Sequence, residues 1–199
     1  MGTFAVVLVL AYSIILHEVM HGVVAYANGD PTAKIRGRLT LNPLPHMDLF
    51  GTVILPAALI FTQAPFIIGW AKPVPFDPRY FRRFRTGLVT VALAGPVTNL
   101  VLAALFAVAL RSVGPNGEGA AVLYYGVALN LMLALFNLLP IPPLDGSKIF
   151  AALLPLSVQR VYFRGERWGL LAVLLLMVTG VLGAILLPFY RYALRALLG

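Results

Sequence analysis

The chain has 199 residues, of which 60% are hydrophobic and only 11% are charged. A soluble globule carries about a quarter charged residues, so this composition excludes one, and the hydrophobicity also excludes a disordered chain. The net charge of +8 would indicate nucleic acid for a soluble protein; in a membrane protein it indicates loops that face anionic lipid, and no nucleic-acid partner is expected. Because the sequence has no cysteine, only His, Asp and Glu remain as metal ligands. With about 20 residues per transmembrane helix, the length has room for about four to six helices.

We therefore predict a single integral-membrane domain over residues 1–199 with an all-α polytopic fold. The first apolar span covers residues 3–27 and ends at Asn28-Gly29-Asp30-Pro31, a helix-stop signal. Alternating polar and apolar residues over Lys34–Leu41 predict a small interfacial β element. The remaining apolar spans are predicted at residues 49–69, 86–110, 120–139 and 168–188.

Three ionisable residues lie inside the first span, where each costs several kcal/mol unless it is paired or coordinated. His17, Glu18 and His21 form the pattern His-Glu-x-x-His. On a helix the two imidazoles share one face, one turn apart, so both can reach one Zn²⁺, and the Glu can act as general base toward water there. The structural alternative is a His-Glu-His cluster that satisfies itself within a helix bundle.

A catalytic zinc site needs a third protein ligand and an open position. The candidates are His and Asp residues outside the motif: His46, Asp48, Asp145, Asp30 and Asp77. Asp145 stands out because it follows a helix that is broken by the prolines of residues 140–143. Irregular backbone at membrane depth is tolerated only where it lines a cavity or lies within protein. The alternative is that Asp145 caps the short segment that begins at Gly146.

These motifs carry a family resemblance. His17-Glu18-Val19-Met20-His21, followed by the pattern Asn-x-x-Pro-x-x-x-x-Asp-Gly from Asn137 to Gly146, resembles the site-2 protease family of intramembrane zinc metalloproteases, peptidase family M50. Residues 41–52, 69–75 and 94–99 resemble signatures of a prokaryotic branch. The resemblance covers residues 14 to about 150, and the PDZ or CBS modules of some relatives are not expected here.

The resemblance implies one zinc per chain, with Asp145 as the third ligand. It also implies a place near the site for Asn137, which would bind the substrate backbone or the oxyanion; the alternative is that Asn137 satisfies the backbone of the broken helix. His46 and Asp48 are candidates for an alternative ligand or for hydrogen bonding to a zinc-bound imidazole. For zinc ligation we favour a simpler interpretation, a turn beside the membrane in which these two residues cap backbone groups.

If His17, His21 and Asp145 bind one zinc ion, they must lie at one depth in the membrane. Spans 3–27 and 120–139 then run parallel, and span 86–110 runs antiparallel to both. Segment 49–69, with Pro56 and Pro65, is then expected to form a re-entrant hairpin, giving about five spans. All Lys and Arg residues except Arg111, Arg191 and Arg195 fall on one side. The positive-inside rule makes that side cytoplasmic, which places the zinc within the plasma membrane of a prokaryotic cell, near its cytoplasmic face, and the basic loops against anionic headgroups.

The sequence therefore predicts a zinc metalloendopeptidase with a catalytic core of about 3–150 and a C-terminal span of about 168–190. It would hydrolyse peptide bonds in or near transmembrane segments of membrane proteins, in regulated intramembrane proteolysis, with Glu18 as general base. The strand around Ile35–Leu41 is expected to hold unwound substrate by strand addition. A zinc or proton transporter should show a path of ionisable residues and usually an internal repeat, neither of which is visible. The third alternative is a catalytically inactive relative that binds membrane proteins.

Overall fold

The computed structural model describes residues 2–63, 69–117, 119–155, 157–159, 162 and 165–199, with the side chains of residues 166 and 167 left out. Over these residues it contains helices and no strand. The α-helices in chain order are α1 (Gly2–Ala27), α2 (Thr32–Ile35), α3 (Leu55–Phe61), α4 (Phe84–Val113), α5 (Ala120–Asn137), α6 (Asp145–Leu153), α7 (Glu166–Val178) and α8 (Val181–Leu198). Short 3₁₀ turns occupy Leu44–His46 and Pro78–Tyr80, and a π-helical segment, Leu49–Ile54, leads into α3.

Four of the described helices are long and apolar enough to cross a membrane: α1, α4, α5 and α8. Their outward faces carry large exposed hydrophobic side chains, such as Leu105 and Val108 on α4 and Phe189 on α8. Water would penalise such a surface, whereas lipid accepts it. The prediction of an all-α polytopic membrane protein is thus confirmed.

Helix α4 packs between α1 and α5, and the contacts fix the direction of each helix. From α1 to α4, His21 meets Val91 and His17 meets Asn99, so the two helices run antiparallel. From α4 to α5, Asn99 meets Asn130 and Phe106 packs on Gly126, which is again antiparallel. Helices α1 and α5 are therefore parallel, as three ligands at one depth require. Small side chains, such as Ala103 and Ala107, let α4 approach its neighbours closely.

Segment 49–70 leaves and returns to the same place. The Trp70 N–H donates to the Gly51 carbonyl at 3.1 Å, and the Thr52 hydroxyl donates to the Trp70 carbonyl at 2.9 Å. The Asp48 carboxylate accepts from the Gly51 N–H at 2.7 Å and starts the π-helical segment. These contacts are those expected of a hairpin. Pro65, which contributed to that prediction, lies outside the described residues.

The strand predicted at Lys34–Leu41 is wrong. The Asp30 carboxylate accepts hydrogen bonds from the N–H and the hydroxyl of Thr32, and this Asx turn leads into the single turn of α2. Gly37, with φ of +62°, then ends the turn in a conformation that a strand does not use. The side chains also do not follow the predicted pattern of buried apolar and exposed polar residues, because Ile35 is 78% exposed while Arg38 is buried. Without a strand, the predicted strand addition of substrate at Ile35–Leu41 has no structural basis.

The C-terminal span also differs from the prediction of one helix over 168–188. Helix α7 ends at Val178, and α8 begins at Val181 after Gly180, whose φ is +76°. Glycine adopts this left-handed conformation without steric cost, so it separates two apolar helices that hydropathy alone joins into one. The helix long enough to span is α8, which continues to Leu198.

Candidate metal centre

The buried face of α1 carries His17 and His21 one turn apart, and the first residue of α6, Asp145, lies against both. The two Nε2 atoms are 3.1 Å apart, and Asp145 Oδ2 lies 3.1 Å from His17 Nε2 and 3.0 Å from His21 Nε2. All three side chains are buried. The three atoms form a nearly equilateral triangle at the contact of α1, α4 and α6.

The hydrogen bonds on the far side of each ring fix which nitrogen faces the triangle. His17 Nδ1 donates to Asn99 Oδ1, and His21 Nδ1 donates to the Val91 carbonyl, both at 2.6 Å. A neutral ring with its proton on Nδ1 presents a lone pair at Nε2, so two imidazole lone pairs and one carboxylate oxygen converge. Zinc binds such atoms at about 2.0–2.2 Å, which separates tetrahedral ligands by about 3.3 Å. The residues present therefore fit a zinc ion.

A chain of buried amides holds the His17 ring in this orientation. Asn99 accepts from His17 through Oδ1 and donates through Nδ2 to Asn130 Oδ1 at 2.9 Å. Asn130 in turn donates to the Ser13 hydroxyl and to the Gly126 carbonyl, each at 2.9 Å. The chain therefore links α4, α5 and α1. Sequence reasoning assigned Asn99 no role, although an amide within an otherwise uncharged apolar span was a usable signal.

Gly95 lets α4 approach both imidazoles. A methyl group at this position would overlap His17 Cε1 and Nε2 and would lie 2.6 Å from His21 Nε2. The rings cannot move away, because Asn99 and Val91 hold their Nδ1 atoms. Gly95 therefore acts as a spacer in the wall of the centre, a role that spacing alone did not reveal.

The carboxylate of Asp145 divides its two oxygens. Oδ2 faces the histidines, whereas Oδ1 accepts from Lys148 Nζ at 2.9 Å, one turn further along α6. The side chain makes no capping hydrogen bond to the backbone at the start of α6. The alternative prediction, that Asp145 caps this helix, is therefore wrong. Gly146 packs on the carbonyls of Leu138 and Leu139, where any side chain would overlap backbone. This contact gives a packing reason for the Asp-Gly pair.

Glu18 lies on α1 between the two histidines, and its carboxylate reaches a different element. Its Oε2 accepts from the Val74 N–H at 2.7 Å, which ties α1 to the loop of residues 72–75. Glu18 is half-buried. A carboxylate has two oxygens, so Oε1 remains available for proton transfer.

The other predicted site residues are not brought to the triangle. The Asn137 amide donates to the Leu133 carbonyl at 2.9 Å, the backbone alternative considered for it. His46 is buried and its Nε2 donates to the Thr40 carbonyl at 2.9 Å. Asp48 accepts from Gly51. Both therefore make the turn contacts of the simpler interpretation, and the zinc-facing imidazoles take Asn99 and Val91 as partners instead.

Comparisons with known proteins bear on the same residues. The family model described as peptidase family M50 matches residues 116–180, which include Asp145. The protein named "Putative zinc metalloprotease YwhC", from Bacillus subtilis, is 40% identical over 191 residues, which is 92% of this chain and 84% of that protein. The chain belongs to peptidase family M50.

Further relatives of this M50 chain include Rip2 of Mycolicibacterium smegmatis, 33% identical over 174 residues, which are 85% of this chain and 65% of Rip2. "Zinc metalloprotease MJ0392" of Methanocaldococcus jannaschii is 33% identical over 70 residues, 35% of this chain and 21% of that protein. No solved structure matches the chain. The family and the names of these relatives make zinc the cofactor of this M50 protein.

Proposed function

We propose that this M50 chain is an intramembrane zinc metalloendopeptidase that hydrolyses peptide bonds in or near the transmembrane segments of other membrane proteins. The observation that carries the proposal is the buried triangle of His17, His21 and Asp145, placed between apolar helices, with Glu18 next to His17 on α1. A histidine pair at membrane depth is costly without a role. Three ligands and an adjacent carboxylate are what a hydrolytic zinc centre requires.

The proposed roles follow from the contacts. Zinc, when bound, supplies a Lewis acid that polarises a carbonyl and makes water more acidic. His17, His21 and Asp145 hold it, with Asn99 and the Val91 carbonyl fixing the two rings. Glu18 accepts a proton from water through Oε1 and delivers it to the leaving amine. Asn137 stays a prediction for binding the substrate backbone, which would require its bond to Leu133 to be exchanged.

The location proposed for the centre is within the plasma membrane, near the cytoplasmic face. Gly95, which touches both histidines, lies 11 residues from the start of α4 at Phe84 and 18 from its end at Val113. At 1.5 Å per residue these are roughly 16 Å and 27 Å. The nearer end carries Arg85 and adjoins the basic loop with Arg79, Arg82 and Arg83, the side that the positive-inside rule makes cytoplasmic. The expected partners are a transmembrane substrate and anionic headgroups.

Replacing the proposed general base tests the function. We expect Glu18→Gln to keep about one zinc per chain while cleavage falls by a factor of about 10²–10⁴, because proton transfer is lost and the ligands are intact. Zinc is measured by mass spectrometry on detergent-purified full-length protein. Cleavage is measured on tagged single-span reporter proteins with different transmembrane segments, co-expressed with each variant. Glu18→Gln that still cuts a reporter as wild type does would overturn the mechanism.

The ligand set is tested in the same preparation. Asp145→Ala is expected to lose most of its zinc and all cleavage, because two imidazoles alone do not complete the site. Asp48→Ala is the matched control, since it removes an aspartate whose bond to Gly51 lies outside the triangle, and it should keep its zinc. Zinc retained by Asp145→Ala would place the third ligand elsewhere. Zinc retention without cleavage in the wild type, across all reporters, would favour an inactive relative.

A further inference from the structure

A second polar site is lined in part by the loop that holds Glu18. A cleft of about 360 Å³ opens there, lined by Arg36, Arg38, Lys72, Pro73 and Pro75. Three of its five lining residues are cations, and none of them is a carboxylate. This arrangement favours an anionic ligand, and neither the metal centre nor the proposed peptidase uses it.

Arg38 is the buried member of the cleft. The residue is 7% exposed, and one terminal nitrogen donates to the Lys72 carbonyl at 2.7 Å. Its Nε is buried without a hydrogen-bond partner in the described part of the chain. Burial lowers the pKa of this guanidinium and the Glu18 charge acts against that, but an arginine keeps its proton in proteins. A buried N–H without an acceptor is costly, so Arg38 brings an unsatisfied donor to the wall of the cleft.

The two outer cations are free to close on the same ligand. Arg36 and Lys72 are exposed, and neither forms an ion pair with any described residue. Two guanidinium groups and one ammonium group together suit a phosphate, because its oxygens accept several charge-assisted hydrogen bonds at once.

The surroundings of the cleft indicate the source of the phosphate. Two residues before Lys72, Trp70 is 40% exposed and packs on Phe50 with ring centroids 5.8 Å apart. Phe50 and its neighbour Leu49 are themselves largely exposed. Exposed aromatic and aliphatic side chains beside exposed cations are typical of the boundary between hydrocarbon and headgroups.

We propose that Arg36, Arg38 and Lys72 form a binding site for a phosphate group, supplied in the membrane by the headgroup of an anionic phospholipid. The ligand would contact the loop of residues 72–75. In this loop the Lys72 carbonyl accepts from Arg38, and the Val74 N–H donates to Glu18. The site therefore places a lipid contact one loop away from the proposed general base. Lipid binding can be measured without any peptidase activity. A failure of the lipid site can therefore be distinguished from a failure of the proposed function.

The test counts bound phospholipid on the full-length protein in detergent by native mass spectrometry, during titration with phosphatidylglycerol and, separately, phosphatidylcholine. The double variant Arg36→Gln with Lys72→Gln removes the two exposed cations and spares the buried Arg38. Arg83→Gln with Arg85→Gln is the matched control, because both residues are exposed, lie at the start of α4 and do not line the cleft. At about 1 kcal/mol per cation, the first variant should bind one phosphatidylglycerol roughly thirtyfold more weakly.

The control variant should stay within about twofold of wild type, and phosphatidylcholine should bind weakly to all three proteins. Equal weakening in the two double variants would mean general attraction of anionic lipid to a basic surface and would overturn the site. Inorganic phosphate is the second ligand, followed by competition against bound phosphatidylglycerol. If phosphate displaces the lipid from the wild-type protein but not from the Arg36→Gln with Lys72→Gln variant, the result supports one site that both ligands share. Phosphate binding without any lipid binding overturns the lipid as its source.

Discussion

Gly95 controls how closely α4 can approach the two imidazoles. In most helices alanine is the more stable residue, by about 0.5–1 kcal/mol, so Gly95→Ala would favour α4 by propensity alone. The added methyl would instead overlap His17 and lie 2.6 Å from His21 Nε2. We expect zinc affinity to fall by about tenfold or more, because outer contacts that orient ligands have effects of this size. Chelator competition on purified protein measures it.

Gly183 provides the matched control for this substitution. It also lies inside an apolar helix, α8, but the nearest atom to an added methyl is Leu187 Cδ1 at 4.0 Å. Gly183→Ala is therefore expected to keep wild-type zinc affinity and to raise the free energy of unfolding slightly. An identical zinc affinity for the two alanine variants would show that the contact with the histidines does not matter.

At the level of helices and strands, the sequence was informative wherever a strong local signal agreed with the tertiary environment. The end of α1 was predictable because Asn28-Gly29-Asp30-Pro31 stops a helix in any surroundings. The strand at Lys34–Leu41 was not, because alternation needs a partner strand, and the Asx turn of Asp30 and the positive φ of Gly37 instead favour a short helical turn. The division of α7 from α8 was missed because hydropathy is the same on both sides of Gly180, and only backbone conformation separates them.

The metal centre also combines features that follow from local sequence with features that depend on how the helices pack. The i, i+4 spacing of His17 and His21 places both rings on one face of α1. Asp145 lies 124 residues beyond His21. The proline break made it one candidate among several, and the family resemblance assigned it as the third ligand. The amide of Asn99 was a usable signal, but its contact with His17 depends on how α4 packs on α1. Lys148 instead pairs with Asp145 within α6, three residues along the same helix. The acceptors that orient the two imidazoles therefore come from helix packing and not from the His-Glu-x-x-His segment.

The amide chain across α1, α4 and α5 gives a prediction at this level. Asn130→Leu removes the bonds to Ser13 and Asn99, and Asn99→Leu removes the bonds to Asn130 and to His17. Hydrogen bonds between membrane helices average about 0.6 kcal/mol, so each variant should lose only about 1 kcal/mol of the free energy of unfolding, measured by denaturation in micelles. Only Asn99→Leu should weaken zinc binding, by about 10–100-fold, because it alone removes the acceptor of His17 Nδ1. Equal zinc affinities in the two variants would contradict this orienting role.

For the whole molecule, helix direction and charge distribution agree. Contacts at Asn99, Val91 and Gly126 make α1 and α5 parallel and α4 antiparallel to both, so the basic loops before α4 adjoin the end of α1. At the opposite end, Arg111 donates to the Leu197 carbonyl at 2.6 Å, which brings the end of α8 beside the end of α4. Arg111 and Arg195 thus lie at the end of the bundle opposite the basic loops that precede α4. Arg160 and Arg164, assigned to the more basic side, lie outside the described residues.

This separation predicts which end of α4 faces the outside of the cell. Because the chain has no cysteine, a single introduced thiol reports its own position without background. Thr86→Cys and Ser112→Cys place exposed thiols near opposite ends of α4. With a membrane-impermeant maleimide, Ser112→Cys should be labelled in intact bacterial cells and Thr86→Cys only after permeabilisation, because the end with more Lys and Arg stays in the cytoplasm. Both thiols should react in detergent, which controls for local accessibility, and the reverse pattern in intact cells would place the metal centre nearer the outer face.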